Sequence, residues 1–227
     1  MILNFRKILF FLLITVSVMT AIFLLCRTIL PVFSEAGKFT VILDAGHGAP
    51  DGGAVGAAGT EEKDINLDIV LKMREILENR GARVILTRSG DSGIYDSWAK
   101  TIHEMKISDM RNRLEVINGI DADLFISIHM NAFSDSSSNG LHVFFARNHP
   151  ECEQLAADIQ ERISEITGAA THTVKTASDS LYLMKDPVPP AILVECGFIT
   201  NPQEEALLNT DEYRAKIAFA IADAIMR

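Results

Sequence analysis

Thr40-Val41-Ile42-Leu43-Asp44-Ala45-Gly46-His47-Gly48 is a short apolar, β-branched run that stops at a histidine set between two glycines. Such a run reads as a buried strand that delivers an imidazole to its C-terminal lip. The flanking glycines permit a sharp turn and close approach of a ligand, and ligands of open α/β sheets usually sit at that edge. The arrangement recurs at Leu124-Phe125-Ile126-Ser127-Ile128-His129, followed by Met130-Asn131-Ala132. Two strands therefore present two imidazoles. Neutral imidazole is a common zinc ligand, and a catalytic zinc takes three protein ligands of histidine or carboxylate type and keeps one position open. An acidic third ligand is expected.

Outward from these strands the pattern alternates. A glycine-rich loop, Gly48 to Gly59, leads into Glu61 to Arg80, where Ile69, Val70, Met73, Ile76 and Leu77 form a helical apolar stripe closed by Gly81. Arg83 to Thr87 reads as a strand, Gly90 to Lys106 as irregular, and Ser108 to Gly119 as a helix with Met110, Leu114 and Ile117 on one side. After the His129 strand, Gly140 to Ala146 is a strand, and Glu151 to Thr167 is a helix with the stripe Leu155, Ile159, Ile163, Ile166. Leu181 to Met184 is a short strand, and Ala191-Ile192-Leu193-Val194-Glu195 is a buried strand ending on a carboxylate. Thr210 caps a last helix whose Asp211 and Glu212 suit its positive end. Repeated strand–helix units predict one α/β domain: a mostly parallel twisted sheet of about six strands, covered by helices on both faces.

The first 37 residues differ in kind. Arg6 and Lys7 precede Ile8 to Leu25, a charge-free apolar run of about 18 residues, close to the ~20 that span a bilayer. This N-terminal hydrophobic helix reads as an anchor or a signal peptide, with basic residues favouring an N-in, C-out orientation and Ser34-Glu35-Ala36 offering a cleavage site. The chain would then be extracytoplasmic, either membrane-anchored or secreted. Residues 38–227 have the length of one domain with a full core. The whole chain carries −9; Arg6, Lys7 and Arg27 against Glu35 leave +2 in the leader, so the remainder holds −11. So acidic a domain does not bind nucleic acid or anionic wall polymer through a broad field. Its substrate is gripped locally or brought by a partner. Cys26, Cys152 and Cys196 lie in the leader, at a helix start and after a buried strand, which does not suggest a disulfide framework.

Among the acids, Glu195 ends the most apolar strand of the domain, and an ionised side chain there needs a partner. In a parallel sheet its tip shares an edge with His47 and His129, where a general base belongs. For the third ligand Glu61 and Glu62, at the start of the helix after the first strand, can both return to that edge. Asp44 and Asp51 are nearer His47 but adjoin a glycine turn, where acids commonly cap backbone amides. Spacing does not choose among these four.

Four motifs then occur in order: Asp44-Ala45-Gly46-His47-Gly48 with Asp51-Gly52-Gly53-Ala54; Glu62-Lys63-Asp64-Ile65-Asn66-Leu67; Ser127-Ile128-His129-Met130-Asn131-Ala132; and Val194-Glu195-Cys196-Gly197-Phe198-Ile199-Thr200-Asn201. Together they resemble the zinc-dependent N-acetylmuramoyl-L-alanine amidases, over about Phe39 to the C-terminus. The resemblance implies zinc held by His47, Glu62 and His129, with Glu195 as the catalytic glutamate. It implies hydrolysis of the amide joining the muramic acid lactyl group to L-alanine in peptidoglycan. Departures are Ala49-Pro50, where a further glycine is common, and Ile199-Thr200 in place of Leu-Ser. Ser108 to Asn118 and Leu181-Tyr182-Leu183-Met184 add a likeness to the sporulation and germination type, which acts on spore cortex ahead of muramic-δ-lactam formation. That likeness implies action in the space between the membranes of the forespore, and the acidic charge adds the expectation of a protein adaptor or activator. Alternatives of other classes are a zinc peptidase cutting within the stem peptide and a non-catalytic peptidoglycan-binding protein.

Asn131, two residues beyond His129, is a candidate substrate contact or support for a ligand. His103, His142, His149 and His172 read as surface or structural histidines, with His172 on a loop that can reach the cleft. Arg88, Arg111 and Arg113 read as solvated ion pairs, or as a grip on an acidic substrate group.

Overall fold

The computed structural model describes Lys7, residues 11–21 and residues 38–227. Contacts divide the chain into two units, Met1–Lys38 and Phe39–Arg227. In the first, residues 11–21 are helical; the rest of the expected leader span lies outside the described residues, as do Cys26 and the cleavage site. Among the described residues no helix is long and apolar enough to cross a membrane.

The second unit runs β1 (Thr40–Ala45), α1 (Glu62–Asn79), β2 (Arg83–Leu86), α2 (Ile102–Gly119), β3 (Leu124–Asn131), β4 (His142–Phe145), α3 (Cys152–Thr167), β5 (Lys175–Thr176), a 3-10 turn (Tyr182–Met184), β6 (Ala191–Phe198), α4 (Pro202–Leu208) and α5 (Asp211–Ile225). The six strands form one sheet in the order β2-β1-β3-β6-β4-β5. β2, β1, β3 and β6 are mutually parallel, whereas β4 runs antiparallel to β6. The reversal follows from the connection 132–141, which holds no helix to carry the chain back across the sheet before β4.

Strands buried on both faces read as continuous apolar runs, and β1 is buried at every position. Val41, Leu43, Ile126, Ile128, Ile192 and Val194 face the larger core with Ile69, Met73, Ile159, Ile163, Ile217 and Ile221 of α1, α3 and α5. Ile42, Phe125, Ala191 and Leu193 face a smaller core with Ile117 of α2 and with Leu183 and Met184. Each such fully buried aliphatic side chain contributes roughly 1.5–3 kcal/mol of transfer free energy.

Several elements differ from the sequence reading, among them α4, which that reading leaves unassigned, and β6, which continues past Glu195 to Phe198. Leu181 to Met184 is not a strand: Tyr182–Met184 is a 3-10 turn, closed by the Met184 N–H donating to the Leu181 carbonyl at 2.9 Å. A four-residue apolar run has no periodicity to separate a strand from a helical turn. α2 starts at Ile102 rather than Ser108, on a Thr101/Glu104 capping box. Exposed Ile102 and Ile107 interrupt the apolar stripe there and conceal the first turns. β5, two exposed residues at the sheet edge, falls within a stretch that reads as loop.

Candidate metal and catalytic site

The C-terminal ends of β1, β3 and β6 meet α1 at one edge. His47 follows β1 by two residues with a left-handed φ of 61°, and its neighbour Gly46 leaves room that no other residue could. A Cβ on Gly46 would stand 2.3 Å from the His129 ring. Gly53 is under the same constraint, at 2.6 Å from a Glu62 carboxylate oxygen. The glycines of the first motif are therefore the space into which His129 and Glu62 fit.

Glu62, the first residue of α1, is 3% exposed and lies between the two imidazoles. Its Oε2 is 3.2 Å from His47 Nε2, and its Oε1 is 2.9 Å from His129 Nδ1. The imidazole rings stand nearly perpendicular, with centroids 5.1 Å apart. Backbone N–H groups pin both carboxylate oxygens: Met130 donates to Oε1 at 3.0 Å and Ala54 to Oε2 at 2.9 Å. One donor atom from each of His47, Glu62 and His129 lies within 4.8 Å of the others. Two imidazoles and a carboxylate, converging and held from behind, are the donor chemistry of a catalytic zinc centre.

Without a cation the three groups share charge. Burial alone would raise the Glu62 carboxyl, but His129 and His47 hold it well below the usual carboxylate range. Burial would likewise depress His47, yet Glu62 and then Asp51 override it and push the imidazole up to about 9. His129 is raised against its own burial by Glu62 and Glu195.

The other three acids have separate partners. Asp51 Oδ2 is 3.0 Å from His47 Nδ1, on the far side of the ring from Glu62, while its Oδ1 accepts from Gly53 N–H at 3.2 Å. Lys106 of α2 also reaches Asp51 Oδ1, at 2.8 Å. Asp44 is fully buried and accepts from Thr87 at 2.6 Å, Ser127 at 2.7 Å and Arg113 at 2.6 Å. Glu61 is half-exposed, 3.1 Å from Lys63.

Glu195 lies in register with His129 on the adjacent parallel strand. Among the described residues its Oε2 is buried without a hydrogen-bond partner, and burial pushes the carboxyl up to about 7. On its other side stands His142 of antiparallel β4, whose Nδ1 accepts from Asn131 Nδ2 at 2.8 Å. Asn131 thus orients a neighbouring imidazole. His172 packs on His142 at 4.2 Å between ring centroids and donates to the Asn139 carbonyl at 2.9 Å. His103 is exposed, and His149 bonds Glu151 at 2.8 Å, away from the triad.

Arg88 and Arg113 are not solvated ion pairs: they are 3% and 1% exposed. Arg88 donates to the carbonyls of Ala45, Gly46, Lys63 and Gly90. Burial and the nearby Arg113 cation pull its guanidinium down to about 10. Arg113 pairs with Asp44 and with Asp109 at 2.8 Å, and donates to the carbonyls of Ala45 and His47. Each spends four of its five N–H donors on these partners. Both brace the turn that carries His47, a role whose sequence signal is confined to the Asp109/Arg113 spacing of four. Arg111 is a surface residue, paired with Asp96 beside Trp98.

A cavity opens over His47, His129 and Glu195. Its walls are largely apolar, from Tyr95, Met105, Met110, Tyr182 and Met184, with Lys106 at the lip.

Residues 41–227 match the family model described as N-acetylmuramoyl-L-alanine amidase. The chain is 36% identical over 192 residues to the germination-specific N-acetylmuramoyl-L-alanine amidase of Bacillus subtilis, covering 85% of this chain and 80% of that protein. It is 32% identical over 235 residues to N-acetylmuramoyl-L-alanine amidase AmiA of Escherichia coli, covering 85% and 76%. Among solved structures it resembles the CwlD amidase from Clostridioides difficile in complex with the GerS lipoprotein, with a TM-score of 0.79 and 41% identity over 83% of this chain and 96% of that one.

Proposed function

The chain belongs to the N-acetylmuramoyl-L-alanine amidase family, and from that premise we propose a zinc enzyme that removes stem peptides from spore-cortex peptidoglycan ahead of muramic-δ-lactam formation. The observation that carries the reading is the convergence of His47, Glu62 and His129 beside the unpartnered oxygen of Glu195.

His47, Glu62 and His129 would hold the zinc. When bound, zinc supplies Lewis-acid activation of water and of the scissile carbonyl near neutral pH. Glu195 takes a proton from the attacking water on its free oxygen and returns it to the departing alanine nitrogen. A carbon–oxygen bond forms and the carbon–nitrogen bond breaks, leaving a lactyl carboxylate and a stem peptide with a free amino terminus. Asp51 accepts the His47 Nδ1 proton and so leaves Nε2 free on the Glu62 side. The apolar cavity walls exclude water around Glu195 and keep its proton affinity high enough for both transfers.

The Bacillus subtilis relative is germination-specific by name, which supports the cortex as substrate. The Clostridioides difficile amidase is in complex with a lipoprotein, and the −11 charge of residues 38–227 disfavours unaided adhesion to an anionic wall. Both support a protein adaptor for this chain. The apolar run Ile8 to Leu25 supports membrane attachment with the domain outside the cytoplasm, between the forespore membranes.

The test is mass spectrometry of products from the purified full chain on stem-peptide-bearing peptidoglycan, with zinc, with chelator, and with Glu195→Gln. Stem peptides beginning with L-alanine, lost with chelator and in the variant, are expected. Cleavage inside the peptide would make the protein a peptidase, and binding without turnover would make it a peptidoglycan-binding protein.

A further inference from the structure

The cavity holds a recognition element that the hydrolytic chemistry does not use. Two cations line it, Lys106 and Arg113. Arg113 is buried and spends four of its five donors on Asp44, Asp109 and two backbone carbonyls. Lys63 is taken up by the carboxylates of Glu61, Asp64 and Asp91. Lys106 is different: its side chain is 50% exposed and, among the described residues, its polar contact is a single carboxylate oxygen of Asp51, at 2.8 Å. An ammonium has three donors, so two remain for the cavity.

Resting on the amidase reading, we propose that Lys106 is a specificity-determining residue which binds a carboxylate on the peptide side of the scissile amide. The glycan side carries no anion before cleavage, because its lactyl group is the acyl half of the amide. The stem peptide does: its second residue is a glutamate joined through its side chain, which leaves a free α-carboxylate in some walls and an α-carboxamide in others. One carboxylate separates the Lys106 ammonium from the His47 ring: Asp51 Oδ1 is 2.8 Å from Lys106 and its Oδ2 is 3.0 Å from His47 Nδ1. Two extended residues, at ~3.5 Å each, span about the distance across that carboxylate from the ammonium to the near edge of the ring. A second-residue carboxylate is therefore within reach when the scissile bond sits at the His47–Glu195 end. In a domain whose net charge is negative, a local cation is also what keeps an acidic peptide from being repelled.

The experiment compares kcat/KM of the zinc-loaded full chain on N-acetylmuramoyl-L-alanyl-D-glutamyl-L-lysine and on its D-isoglutamine counterpart. Wild type is expected to prefer the glutamyl form about fivefold, through KM, as befits one partly exposed ion pair. Lys106→Met should bring the ratio to about one and Lys106→Arg should keep it. The ratio is the readout because it cancels any loss of active protein or loosening of Asp51. In wild type alone, the preference should also shrink as salt screens the pair. A wild-type ratio of one, or a ratio unaltered by salt and by Lys106→Met, overturns this inference alone. Failure of wild type to cleave either compound between lactyl group and alanine overturns the amidase reading, and this inference with it.

Discussion

His129 and Glu195 stand side by side, in register, on the parallel strands β3 and β6, so an imidazole of the donor triad and a carboxyl with a buried, unpartnered oxygen share one edge of the sheet. Such an oxygen is costly, and its retention has a measurable consequence. Burial raises the Glu195 carboxyl from 4.5 to about 7 in the folded, metal-free protein. The folded state therefore holds that proton more tightly than the unfolded one. Stability is full below 4.5 and is lost as pH rises through about 7, by of order 1–3 kcal/mol. Glu195→Gln should raise the melting temperature of metal-free protein at pH 8, leave it nearly unchanged at pH 4, and reduce turnover roughly 100-fold or more. Thermal melts at the two pH values together with product assays check both effects.

The same titration sets an acid limit to activity. In the proposed mechanism Glu195 acts ionised, so kcat/KM should fall as pH drops below about 7, with the limb displaced downward by whatever cation occupies the triad. A pH–rate profile of wild type checks this.

Protons and metal compete for His47. In metal-free protein its imidazole is raised from 6.5 to about 9 by Glu62 and Asp51 against the effect of burial. The stabilisation from that contact is complete below 6.5 and is lost as pH rises through about 9. A metal requires the neutral ring, so binding between those pH values releases a proton. Apparent zinc affinity of the folded protein should climb by up to about tenfold per pH unit up to about 9 and level off above it. Chelator competition at several pH values, with proton release measured in weakly buffered solution, checks the slope.

The fold was legible where burial leaves a pattern. β1, β3 and β6 are apolar on both faces and carry His47, His129 and Glu195 just beyond or within their C-terminal halves, and β6 runs on past the expected end at Glu195 to Phe198; the stripes of α1 and α3 repeat at helical spacing. What stayed hidden has no periodic trace. Ile102 and Ile107 face solvent and masked the start of α2, while the 3-10 turn at Tyr182 is too short to carry a period. Within the site, chain spacing left Asp44, Asp51, Glu61 and Glu62 equivalent. They separate only in three dimensions, where Gly46 and Gly53 open the space for Glu62 between two rings. Arg88 and Arg113 were illegible for a related reason: their partners are mostly backbone carbonyls brought together by the turn after β1.

Arg113 is accordingly a structural element of the site. Its guanidinium bonds Asp44 at 2.6 Å and holds the carbonyls of Ala45 and His47. Arg113→Met would leave the Asp44 carboxylate buried with Thr87 and Ser127 but without its hydrogen-bonded cation, which typically costs about 3–5 kcal/mol. Combining it with Asp44→Asn should recover part of that loss. Urea unfolding of the two single variants and the double variant checks the coupling.

Asp51 should matter to metal affinity more than to stability. It is partly exposed, so little packing is lost with it, yet it sets which nitrogen of His47 carries the proton. Asp51→Ala leaves the Nδ1 proton to solvent and frees the ring to turn, and loss of such a supporting carboxylate typically weakens a metal site roughly 10- to 100-fold. Asp51→Asn should fall between wild type and alanine, because its carboxamide oxygen can still accept from Nδ1 while its charge is gone. Zinc titration against a chromophoric chelator ranks the three proteins, and nitrogen-15 shifts of the His47 ring report the tautomer. Equal affinities with an unchanged tautomer would assign Asp51 to the Gly53 turn alone.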